Sequence, residues 1–218
     1  MKRFLPLIFV LILVFGFKAD CFAAEAEAAE VFAQEVAQNK SVEEELKSVE
    51  KTLVGIELLA GYSRASKIRR KSDIQEAVLA VAFDLDMKPL LRKIDFDPPV
   101  LTQFQIEPFA GGMYEPRGDN YEAGINFWVK FGLVPESWSF QPYAKFGLGL
   151  DYMTLHTINQ GTQFNFTSNL GLGAHYFFCK DTALTVEGRY RHLSNAGIKE
   201  PNRGINAYTI LGGLTWRY

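Results

Sequence analysis

The stretch that decides the fold runs from Thr182 to Ser194, TALTVEGRYRHLS. Thr185, Glu187, Arg189 and Arg191 occupy its odd positions, and Leu184, Val186, Gly188 and Tyr190 its even ones. Successive side chains of a strand point to opposite faces, so this alternation sorts the stretch into one polar and one apolar side. A helix would scatter the same residues around its axis.

The pattern recurs through the chain. In residues 121–132, Glu122, Asn126 and Lys130 oppose Ala123, Ile125, Phe127, Val129 and Phe131. Residues 102–113 set Gln103, Gln105 and Glu107 against Phe104, Ile106 and Ala110, and residues 139–151 set Gln141 and Lys145 against Phe140, Ala144, Phe146 and Leu148. With 53–63, 74–86, 162–178, 182–194 and 205–217 these make eight expected strands. Eighteen glycines, 18 phenylalanines and 14% aromatic residues suit an all-β chain.

Two architectures fit eight alternating strands. A soluble sandwich turns its apolar face inward. A membrane barrel turns it outward and fills its lumen with the polar one. Two features favour the barrel. The first residues, MKRFLPLIFVLILVFGFKADCFAA, combine a basic start, an apolar run from Phe4 to Phe17 and small residues at Ala23 and Ala24. That is the pattern of an export signal, expected over 1–24. The eighth strand also ends on Tyr218, an aromatic suited to a membrane interface. The reading is therefore an eight-stranded antiparallel transmembrane β-barrel of the outer membrane, spanning 53–218.

Between leader and barrel, residues 25–52 are rich in Ala and Glu, with Val42, Leu46 and Val49 at helical spacing. They read as an acidic N-terminal extension, either helical or a tail. Asp20 argues against lipidation at Cys21, and loss of the leader leaves Cys179 without an internal disulfide partner. A formal net charge of −2 gives no sign of nucleic-acid binding. No metal-ligand spacing of His, Cys and carboxylates and no glycine-rich phosphate loop occurs, so no cofactor is expected. His156 reads as an outer-loop residue and His175 as a lumen residue. The glycines of GLGL at 147–150 are expected to ease barrel curvature. The basic segment RASKIRRKSD, 64–73, has two readings: a solvated outer loop, or a contact with lipopolysaccharide phosphates.

Even positions of the seventh strand face lipid, which places His192 and Ser194 on the outer wall. Asn206 shares the parity of Tyr208, Ile210, Leu214 and Trp216 on the eighth strand and joins them there. Polar groups on such a wall need partners. A site acting on lipid supplies a reason, with His192 accepting the proton of Ser194 and Ser194 attacking an ester. Such chemistry also needs a group to orient the imidazole and donors for the oxyanion.

The run from 190 to 206, YRHLSNAGIKEPNRGIN, resembles the signature of the lipid A 3-O-deacylase family, the PagL-like outer-membrane enzymes. NYEAGINFWVKFGL (120–133), QPYAKFGLGLDY (141–152) and GTQFNFTSNLGLGAHYFF (161–178) extend the resemblance, which covers roughly the whole barrel. It implies hydrolysis of the acyl ester at the 3 position of lipid A by a metal-free serine mechanism. It implies that His192 is the base, Ser194 the nucleophile, Asn195 the asparagine beside it and Asn202 a contributor to the oxyanion hole. Where the best-known members carry a glutamate as the triad acid, this chain has Asn206. An amide orients an imidazole but does not offset its positive charge. Two readings follow. Either Asn206 orients the ring, or Glu200 folds back from the loop as the acid. The same departure admits an alternative function, a structural or lipopolysaccharide-binding barrel with little turnover.

Overall fold

The structure, a computed structural model, describes residues 52–66, 74–115, 118–157 and 159–218. The leader and almost all of the extension lie outside these residues, as do positions 67–73 of the basic loop.

Eight antiparallel strands follow one another around a closed barrel. They are β1 (Leu53–Ser66), β2 (Ile74–Asp86), β3 (Val100–Glu115), β4 (Gly118–Pro135), β5 (Phe140–Met153), β6 (Phe164–Phe177), β7 (Thr182–Ser194) and β8 (Ile205–Arg217). β8 closes on β1, with Gly55 opposite Arg217 and Ser66 opposite Asn206. Every strand thus has two hydrogen-bonded neighbours, and no open edge is left, as a lipid environment requires. Between β2 and β3 lie a one-turn helix, α1 (Lys88–Leu91), and a 3₁₀ turn, Arg92–Ile94.

The outside is apolar. Leu148, Leu172 and Ile210 expose 66%, 67% and 70% of their surfaces, as large aliphatic groups do on a wall built for lipid. The inside is charged and closely filled. Lys130 Nζ, fully buried, donates to Glu57 Oε1 at 2.5 Å and Asp84 Oδ1 at 3.1 Å. Lys145 reaches Glu187 at 3.0 Å and Gln105 at 2.9 Å. Arg189 forks onto both oxygens of Glu107 at 2.6 and 2.5 Å, and Arg191 onto both of Glu122 at 2.5 and 3.0 Å. The planar guanidinium matches a carboxylate in this two-bond arrangement. His175 stands in the lumen as expected, its Nδ1 2.8 Å from Thr185 Oγ1.

Near the end of the barrel that carries the β7–β8 loop the lumen becomes apolar. Ile74, Met113, Met153, Leu155, Leu193 and Ile205 form a plug over the charged layers. A cavity of about 20 Å³ beside Glu76 and Arg191, below the plug, is on the scale of one water molecule. Glycines within strands leave room for lumen side chains. A Cβ on Gly173 would lie 2.5 Å from the Tyr143 ring, and one on Gly149 would collide with the side chains of Asn126 and Thr167. These positions are bare because large lumen groups occupy the space.

Lys130→Met should destabilise the barrel by about 3–5 kcal/mol, because Glu57 and Asp84 lose their shared cation in a site closed to solvent. Reversible urea unfolding in lipid vesicles measures this. A change near zero would show that the lumen pairs do not hold the fold.

Candidate active site

β7 and β8 form a hairpin in which His192 stands opposite Asn206 and Tyr190 opposite Tyr208. Arg191, Leu193, Ile205 and Ala207, the chain neighbours of His192 and Asn206, point into the lumen; Leu193 and Ala207 are each 3% exposed. The alternation therefore turns His192, Ser194 and Asn206 to the outer wall, as the sequence parity predicts.

Register does the rest. The Asn206 amide oxygen lies 2.7 Å from His192 Nδ1. An amide oxygen only accepts, so Nδ1 carries the proton and Nε2 of the neutral ring is left as an acceptor. Below this pair the Tyr190 and Tyr208 rings pack with centroids 5.4 Å apart. On its other side His192 stands opposite Ser168 of β6, an exposed hydroxyl in a column with Phe166 and Leu170. Sequence reasoning passed over Ser168. The signal was there, a polar residue at an apolar parity.

Ser194 lies two residues beyond His192 on the same face. No hydrogen bond joins its hydroxyl to the imidazole among the described residues. Catalytic hydrogen bonds commonly tighten only when substrate is bound.

The loop between the strands, 195–204, folds over this pair. Asn195 is fully buried and directed into its own loop, its Nδ2 donating to Lys199 O at 2.6 Å and its Oδ1 accepting from Gly197 N at 3.0 Å. Asn202 Oδ1 accepts the Asn195 N–H at 3.0 Å, and its Nδ2 makes no hydrogen bond among the described residues. Glu200 is exposed and takes the Asn202 N–H at 3.1 Å. The structure thus brings Asn206 to His192 and directs Glu200 into its own loop. Glu187, on the polar parity of β7, lies in the lumen and accepts from the Tyr143 hydroxyl at 2.6 Å.

Gly204 closes the loop at φ +69°, in the left-handed region. A Cβ there would lie 2.6 Å from His192 Cε1 and 3.2 Å from Nε2. The imidazole fills the space that glycine leaves.

His156, on the connection between β5 and β6, contacts Gln163 and is remote in sequence from these groups. Among the described residues no three or more His, Cys, Asp or Glu side chains are placed to hold a metal ion.

The sequence profile of the lipid A 3-O-deacylase (PagL) family matches residues 97–215, more than half of the chain. The crystal structure of the outer membrane enzyme PagL superposes with a TM-score of 0.52 at 14% identity, covering 73% of this chain and 97% of that one. Neisserial surface protein A superposes at 0.57 with 12% identity, covering 75% of this chain and 96% of that one. No curated protein sequence matches the chain at a significant level. At such identities the structural likeness speaks for the outer-membrane barrel fold alone, and the profile carries the family. With residues 97–215 matched, the chain belongs to the lipid A 3-O-deacylase (PagL) family.

Proposed function

We propose that this barrel resides in the outer membrane of a Gram-negative cell and removes the 3-O-linked acyl chain of lipid A, with Ser194 as nucleophile and His192 as base. The observation that carries this reading is the 2.7 Å contact of His192 Nδ1 with Asn206 on the lipid-facing wall. It fixes the tautomer whose Nε2 accepts a proton, beside a hydroxyl two residues along the same face.

The steps follow from these groups. Ser194 Oγ bonds to the ester carbonyl carbon while its proton passes to His192 Nε2. The carbonyl oxygen becomes an oxyanion, and Asn202 Nδ2, uncommitted among the described residues, is a donor suited to it. The tetrahedral species collapses, the bond to the 3-oxygen of the sugar breaks, and imidazolium returns its proton to that oxygen. Water, deprotonated by His192, then adds to the acyl carbon; the bond to Ser194 Oγ breaks as imidazolium returns the proton to that oxygen, and the fatty acid leaves. Asn206 keeps the ring oriented but supplies no negative charge to the imidazolium, so a modest rate is expected.

That same amide favours the second reading, a barrel of this family that binds lipopolysaccharide with little turnover. Mass analysis of lipid A after expression in a host without such an enzyme separates the two. Loss of one acyl group supports the deacylase, and unchanged lipid A supports the binder.

Ser194→Ala should abolish deacylation and leave a heat-modifiable barrel. Retention of the wild-type rate would end the serine mechanism. Asn206→Ala should lower the initial rate while Glu200→Ala leaves it nearly unchanged, and Asn206→Glu should raise it. A large loss in Glu200→Ala with Asn206→Ala near wild type would reassign the acid to Glu200. Gly204→Ala should cost about 100-fold in rate by displacing the imidazole. A rate within a few-fold of wild type would mean that the ring does not need that space.

A further inference from the structure

The loop that carries Asn195 and Asn202 does not hold its shape alone. The connection from β5 to β6 reaches across and grips it. Gly161 N donates to Pro201 O at 2.7 Å, and Arg203 N donates to Asn159 O at 2.9 Å. Gln160 and Asn202 between them form an isolated antiparallel bridge. Two side chains add to the ladder. Asn159 Nδ2 donates to Gly204 O and Gln160 Nε2 to Leu193 O, each at 3.4 Å. Thr157 Oγ1 braces the turn from behind, accepting the N–H groups of Asn159 and Gln160 at 3.1 Å each.

The placement of these bonds is specific. Leu193 lies between His192 and Ser194 in the chain. Gly204 is the residue against the His192 ring. Pro201 and Arg203 flank Asn202. Asn159 and Gln160 are buried, so their amide donors are withdrawn from water and spent on carbonyls beside the reacting groups. Gly161 sets the closeness of the grip. A Cβ there would lie 2.6 Å from Glu200 O and 2.7 Å from Lys199 O. Both obstacles are backbone, so the loop and not a side chain would have to move.

We propose that Asn159, Gln160 and Gly161 are positioning residues that clasp the 195–204 loop and set where Asn202 stands relative to Ser194. The proposal rests on the serine reading above and extends it to residues that touch no substrate. An outward shift of residues 199–201 carries Asn202 with it, and with Asn202 the Asn195 N–H that its Oδ1 holds. The lipid itself packs on the wall, which the shift leaves in place. The loss therefore falls on interactions that strengthen only as the oxyanion forms, and these appear in kcat and not in KM.

The test uses the full chain in detergent micelles with lipid A as substrate, comparing wild type, Gly161→Ala, Gln160→Ala, Asn159→Ala and Ser194→Ala. Gly161→Ala should lower kcat by about 100-fold, with KM within about 2-fold of wild type and heat-modifiability retained. Gln160→Ala should lower kcat in the same direction by a smaller factor. If Gly161→Ala does not fold, the kcat of Asn159→Ala, which removes the bond to Gly204 O within the loop, decides. A wild-type kcat in the folded variants, or a loss confined to KM, overturns the clasp. An inactive Ser194→Ala beside fully active clasp variants would discard the clasp and keep the nucleophile. An active Ser194→Ala would remove the reading on which the clasp stands.

Discussion

Lys130 sits between Glu57 and Asp84 with no surface open to solvent, and the rest of the molecule is arranged so that this is tolerable. A charge without water is stable only when its partners are in place. Lys130 comes from β4, Glu57 from β1 and Asp84 from β2. The bond between Arg189 and Glu107 likewise joins β7 to β3 across the lumen. Each such pair fixes the register of strands that are not neighbours. A slip of one residue in any of them would expel a charge into lipid and draw an aliphatic group into the polar interior. The inward charges are thus what makes the outward face definite.

The candidate site uses that definiteness. Arg191 pairs with Glu122 inside, which holds the neighbouring His192 outside, and Leu193 enters the apolar plug, which does the same for Ser194. His192 and Asn206 meet because two antiparallel strands put them opposite one another, with no loop in between. The orienting contact belongs to the rigid ladder. Asn195 and Asn202 belong to a loop, which is bonded to the connection between β5 and β6. A strand-built half and a loop-built half meet at Ser194.

The strand-built half was legible in the sequence, because period two is a local property. Thirteen residues such as TALTVEGRYRHLS carry their facing with them, and the shared face of His192, Ser194 and Asn206 follows from counting. The strand ends were less legible. β3 and β4 run to Glu115 and from Gly118, beyond the expected 102–113 and 121–132, because backbone pairing continues where the polarity contrast between the faces fades. The choice between Asn206 and Glu200 lay at the boundary. Parity directed Asn206, and nothing periodic directed Glu200. Wholly illegible were the contacts of Asn159 and Gln160, whose partners Gly204 and Leu193 lie 45 and 33 positions along the chain. The same is true of Gly149 and Gly173, whose missing side chains make sense only against side chains of adjoining strands.

The outward-facing imidazole has a consequence for how a reaction at this wall would be supplied. Most enzymes draw substrate from a volume into a cleft. Here the reactant would arrive by lateral diffusion within a single leaflet, and the governing concentration would be its mole fraction among surrounding lipids. No channel has to open and no gate has to close for a reactant that stays on the outer wall. The severed chain and the remaining glycolipid would drift away in the plane from which they came. Turnover at such a surface follows the fluidity and composition of the membrane as much as the chemistry of its side chains.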